Sequence, residues 1–143
     1  MRLVLDTNVA ISALLWQGVP GRLIQAATTG DITLVTTIPL LAELRGVLQR
    51  DKFQSQLHAR AVAIEDLLDG YVELVHVVPP AELAATIARD PSDDAVLAAA
   101  LAGGADLIVS GDSHLLNLKR YQNIEIVTAV GVIERLSSDA SRG

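Results

Sequence analysis

The chain has 143 residues, half of them apolar and only 3% aromatic, with a formal net charge of −6 and no cysteine. That length suits one domain, and the missing cysteines exclude disulfides and thiolate metal sites. The acidic balance argues against a bulk nucleic-acid coat, which is usually basic, but not against an enzyme that gathers acids at one point.

The predicted elements alternate along the chain. "RLVL" reads as a short buried strand running straight into Asp6, and "NVAISALLWQG" as a helix stopping near Gly18. "GRLIQAATTG" is a second helix with Gly30 in a C-terminal cap role. "ITLVTT" is a strand rich in β-branched residues. "IPLLAELRGVLQRDKF" reads as one helix, with Thr37 as N-cap and Pro39 in the first turn. "HARAVAIEDLLDGY" is a further amphipathic helix and "VELVHVV" a strand ended by Pro79 and Pro80. "DPSDDAVLAAALAGGAD" is a helix with acids at its start and Gly103-Gly104 at its exit. "DLIVSGD" is a strand, "SHLLNL" a short helix, "IEIVT" a strand and "AVGVIERL" a last helix.

This alternation predicts an α/β fold with a mainly parallel sheet, as one domain over 1–137 and a flexible tail over 138–143. An Ala-, Val-, Leu- and Ile-built core suits helices packed closely on such a sheet. No apolar run approaches the roughly 18 residues of a membrane span. Asp6 breaks the first apolar run, so no secretory leader is expected and the predicted setting is cytoplasmic.

Ligands of open parallel sheets bind at the carboxyl ends of the strands. Asp6 and Asp112 follow strands there, Asp94 starts the Ala-rich helix, and Glu43 lies one turn into the helix after "ITLVTT". Taken singly, each has a plain reading. Asp94, Asp93 and Asp90 suit helix capping or a turn, Glu43 a solvated face, and Asp112 a turn after Gly111. Asp6 is harder to explain as a cap, since Thr7 and Asn8 beside it cap equally well. Taken together, carboxylates in one cleft repel and raise one another's pKa unless a cation sits between them. Mg²⁺ or Mn²⁺ suits an all-oxygen donor set. His58, His76 and His114 are scattered and read as structural or surface residues.

"LVLDTNVAISALL", "LLAEL", "DDAVLAAALAGGADLIVSGDSHLL" and "IVTAVGVIERL" resemble, in order and over nearly the whole chain, the PIN domain. The likeness is to the branch of toxins from toxin–antitoxin pairs, the VapC-like ribonucleases. It implies a three-layer α/β/α sandwich and a metal-dependent endoribonuclease. Asp6, Glu43, Asp94 and Asp112 would then be the acidic quartet on Mg²⁺ or Mn²⁺. Asp93 competes with Asp94, and Asp90 falls in the branch's "RDP" element. Asn8 and Ser110 match small polar positions that support the site. The family's last motif usually reads Thr-x-Asp, whereas here it is Ser110-Gly111-Asp112, which keeps the hydroxyl.

The resemblance further implies RNA as substrate, a cognate antitoxin and a homodimer. Arg22, Arg45, Arg50, Lys52, Lys119 and Arg120 are candidates for phosphate contacts, and Trp16 for base stacking. Two other readings compete. One is an aspartyl-nucleophile phosphatase or receiver-like domain, although Asn8 stands where the phosphatase needs a second Asp. The other is a non-catalytic binding module whose acids serve as caps.

Overall fold

The computed structural model describes residues 1–15, 18–83 and 91–142. Trp16 and Asp90 lie outside the described residues.

The elements run β1 (Arg2–Leu5), α1 (Thr7–Leu15), α2 (Val19–Thr29), β2 (Thr33–Thr36), α3 (Ile38–Leu48), α4 (Asp51–Ala59), α5 (Ile64–Leu74), β3 (His76–Val77), α6 (Pro91–Gly103), β4 (Leu107–Val109), α7 (Ser113–Leu118), β5 (Arg120–Tyr121), β6 (Ile124–Val127) and α8 (Ala129–Arg142). The strands form one sheet in the order β3-β2-β1-β4-β6-β5, parallel except where β5 pairs with β6.

Alternate strand residues face opposite layers. Leu3, Leu5, Leu34, Leu107 and Val109 join the core under α1, α2, α5 and α8. Val4, Val35 and Ile108 face the other core, built on Val96, Leu97, Ala99 and Ala100 of α6 with Leu115, Ile124 and Ile126. Burial on both faces is why these strands read as unbroken apolar runs. The result is the expected three-layer sandwich with a mainly parallel sheet. No helix among the described residues is long and apolar enough to cross a membrane.

The alanines of α6 let that helix lie close on the sheet. At its end Gly103 touches β2 so closely that an added Cβ would overlap Val35 Cγ1. Gly30 closes α2 in a left-handed conformation, and the Thr37 hydroxyl accepts from Leu40 N to cap α3, both as expected.

Several boundaries differ from the sequence reading. The single helix expected over residues 38–53 is two, because Arg50 adopts extended backbone between α3 and α4. The helix expected from His58 breaks after α4, with Ala61 at positive φ, and restarts at Ile64. Most of "VELVHVV" is not strand. α5 continues through Leu74, burying Tyr71 and, one turn on, Val75, and only His76 and Val77 pair with β2. The edge hairpin of β5 with β6 was not anticipated, and Gln122 at positive φ makes its turn. α8 runs on to Arg142, past the expected start of a flexible tail.

Candidate functional site

The chain builds β1, β2 and β3 outward on one side, then returns to lay β4 against the other side of β1. The carboxyl ends of β1 and β4 therefore flank the point where strand order reverses, the place where an open α/β sheet leaves a crevice. Asp6 follows β1, while Ser110 and Asp112 follow β4. Asp6 N donates to Val109 O at 3.0 Å and Ser110 N to Val127 O at 2.9 Å, so the ends of β1, β4 and β6 are tied together.

Asp6 is only 5% exposed, and both its oxygens are engaged. Oδ1 accepts from Val9 N at 2.8 Å, which caps α1. Oδ2 accepts from the Ser110 hydroxyl at 2.5 Å, within the range of a charge-assisted O–H···O⁻ bond. Capping and membership of the cleft thus coexist in one side chain, although the sequence reading set them against each other. Ser110, fully buried, also accepts from Asp112 N at 2.9 Å. Asp112 caps α7 through His114 N at 2.8 Å.

Burial pushes the Asp6 carboxyl above its ordinary value. The bonds from Ser110, Val9 and Gly111 work against that rise, and the neighbouring charge of Asp112 adds to it.

A cleft of about 210 Å³ opens at this edge. Its acids are Asp6 from the end of β1, Glu43 from α3, Asp93 from α6 and Asp112 from the loop before α7. Thr7, Asn8, Val47, Val96 and Arg50 complete the lining. Three of the four expected acids are thus brought together. At the fourth position the cleft takes Asp93, the competitor named beside Asp94. Asp93, buried at 7% exposure, lines the cleft, whereas Asp94 is not among its lining residues. Neighbours on a helix point about 100° apart, so the two carboxylates leave α6 in different directions. Asn8 lines the cleft, and the Ser110 hydroxyl donates to Asp6 Oδ2. Thr7, Val47 and Val96 were not singled out by sequence. Val47 and Val96 sit at helical spacing from Glu43 and Asp93, the signal that would have found them.

Of the expected cationic residues, Arg50 alone lines the cleft. Arg45 is ion-paired with Glu65, and Arg120 lies 3.6 Å from Glu125, which also pairs with Arg135. Lys52 sits over the Phe53 ring at 4.8 Å. Arg22 lines a different hollow, between α2 and α8, and Lys119 closes α7 at positive φ. No histidine lines the acidic cleft; His58 and His76 lie exposed on α4 and β3.

The donor set is all oxygen and strongly acidic, and Asp6 already carries the electrostatic cost of burial and of Asp112. This chemistry fits a hard divalent cation. Among the described residues, no three acids or histidines are drawn in tightly enough to form a closed shell as they stand. Carboxylates around a shared cleft repel one another, and Glu43 and Asp112 are both half-buried at its edge.

A family model described as the PIN domain matches residues 2–114. No curated protein matches the chain. Among solved structures, the chain is similar to one in the crystal structure of VapBC2 from Rickettsia felis bound to a DNA fragment from their promoter. The match has a TM-score of 0.58 at 16% identity and covers 88% of this chain and 97% of that one, a likeness of fold. Because the family model spans most of the sequence and takes in Asp6, Glu43, Asp93 and Asp112 together, the chain belongs to the PIN domain family.

Proposed function

We propose that the protein is a divalent-cation-dependent endoribonuclease, the toxin of a toxin–antitoxin pair, acting in the cytoplasm. The observation that carries this reading is the meeting of Asp6, Glu43, Asp93 and Asp112, from separate parts of the chain, in one cleft at the switch point of the sheet. Nuclease chemistry needs negative side chains in just such a place, because the substrate is itself an anion and only a cation makes the two compatible.

Asp6 and Asp112 would hold Mg²⁺ or Mn²⁺ together with Asp93, and Glu43 would orient the attacking water. When bound, the ion supplies activation of water and neutralises charge growing on the phosphate. Water adds to phosphorus, the bond to the 3′ oxygen breaks, and that oxygen leaves with a proton. Ser110 fixes Asp6 so that its carboxylate is presented in one orientation. Asn8, at the cleft wall, is placed to orient water or a carboxylate.

The aspartyl-nucleophile alternative fits less well. That chemistry needs a second Asp two residues on, and Asn8 stands there. The toxin assignment is supported by the order of sequence motifs and by the fold shared with a VapBC protein. An antitoxin covering the cleft and a homodimer belong to the same proposal.

The test is cleavage of a fluorescent RNA by the purified protein with Mg²⁺ or Mn²⁺. Cleavage that stops with EDTA supports the reading. No cleavage, or cleavage indifferent to EDTA, removes it. Growth arrest on expression, relieved by the neighbouring gene's product, tests the toxin role.

A further inference from the structure

Arg50 stands in the acidic cleft for no reason the fold supplies. It occupies the N-cap position of α4, where its side chain makes no capping bond. Ser, Thr, Asp or Asn serves best there. A cation at a helix N-terminus also opposes the helix dipole. The side chain is exposed, and no ion pair or hydrogen bond joins it to any described residue, although Glu43, Asp93 and Asp112 line the same cleft. An arginine that neutralised those acids would be paired with one of them.

Its placement is specific. Glu43, Val47 and Arg50 follow the i, i+4, i+7 stripe of a helix face, and all three line the cleft. The helical part of this stripe, from Glu43 to Leu48, rises about 7.5 Å, and Arg50 lies beyond it. The stripe puts the acid at one end and the guanidinium at the other, with an apolar Val47 between them. The break between α3 and α4 falls at Arg50 itself, whose extended backbone ends the stripe. A local rule broken without structural gain marks a functional position.

We infer that Arg50 binds an RNA phosphate flanking the scissile one, fixing the strand's register along α3. This rests on the nuclease reading. The five guanidinium donors match a phosphate's oxygens in a fork. With Val47 between Glu43 and Arg50 along the cleft wall, Arg50 is assigned a phosphate beyond the reacting one, so its effect falls on binding rather than on the chemical step.

The experiment compares wild type, Arg50→Gln and Arg50→Lys on a short fluorescein-labelled single-stranded oligoribonucleotide with Mg²⁺. Steady-state rates are measured across a range of KCl, with thermal melting of each protein. Arg50→Gln is expected to raise KM about tenfold with kcat little changed. It should also flatten the salt dependence of kcat/KM by about 0.7 in log–log slope, the loss of one phosphate contact. Arg50→Lys should recover the salt slope but only part of the KM, and all three should melt alike. Unchanged KM and slope in Arg50→Gln would overturn the inference while leaving the nuclease reading intact. A fall in kcat alone would overturn it too, by placing Arg50 on the reacting phosphate. If wild type binds the oligomer without cutting it, the nuclease reading fails and the same comparison of Kd values and salt slopes decides on Arg50. Failure of wild type to bind overturns both.

Discussion

The Ser110 hydroxyl donates to Asp6 Oδ2 at 2.5 Å and accepts from Asp112 N at 2.9 Å, so one buried oxygen couples the carboxyl ends of β1 and β4. Ser110→Ala would remove both the donor to Asp6 Oδ2 and the acceptor for Asp112 N, a loss of about 1–3 kcal/mol. It should lower cleavage by about 10- to 100-fold, as loss of a residue orienting a ligand does. Ser110→Thr keeps the hydroxyl and should keep most of the activity. Equal rates for the Ala and Thr variants would show that this hydroxyl does not orient Asp6.

Asp6→Asn separates function from folding. Asparagine can still accept from Val9 N and donate its amide to Ser110 Oγ. Activity should fall by about 10²- to 10³-fold, the loss of several kcal/mol of charge stabilisation. The far-ultraviolet circular dichroism should be unchanged.

The same variant carries a pH signature. The Asp6 carboxyl titrates above its ordinary value in the fold, first because it is buried. The folded state therefore holds this proton to higher pH than the unfolded chain does. The Asp6 contribution to stability is greatest below about pH 4 and falls as pH rises through the raised folded value. At neutral pH the Asp6 charge costs stability. The melting temperature of Asp6→Asn minus that of wild type, in EDTA, should grow as pH rises from 4 to 7. Millimolar Mn²⁺ should raise wild type and not the variant. A difference that is flat with pH would contradict the buried charge.

The two acids at the start of α6 should behave oppositely. Asp93 is buried and lines the cleft, whereas Asp94 is not among its lining residues. Asp93→Asn should lose activity as Asp6→Asn does, and Asp94→Asn should stay within a few-fold of wild type. The reverse outcome would restore the assignment read from sequence.

Gly103→Ala tests the packing of α6 on β2. The new Cβ would overlap Val35 Cγ1 and approach Val35 Cβ at 3.1 Å, and Val35 is 1% exposed. Overpacking of this kind costs about 1–3 kcal/mol. Chemical denaturation should show that loss, and the added change Val35→Ala should recover part of it.

The sheet and most of the site were legible in the sequence for one reason. Strands buried on both faces leave apolar runs, and "RLVL", "TLVT" and "LIV" each end beside polar residues that cannot continue them. Asp6 and Asp112 were found by that position, and Ser110 by the motif it belongs to. The choice between Asp93 and Asp94 was not legible, because "AVLAAAL" is apolar on every side and marks no outward face. The break at Arg50 was hidden too. No Gly or Pro stands between Leu48 and Phe53, and nothing local announces extended backbone.

The most direct test of a shared cation site is a crystal soaked in Mn²⁺ and measured for anomalous scattering. The account predicts a peak in the cleft, ligated by carboxylate oxygens of Asp6, Asp93 and Asp112. A cleft without a peak, in crystals where Mn²⁺ has bound elsewhere, would contradict it.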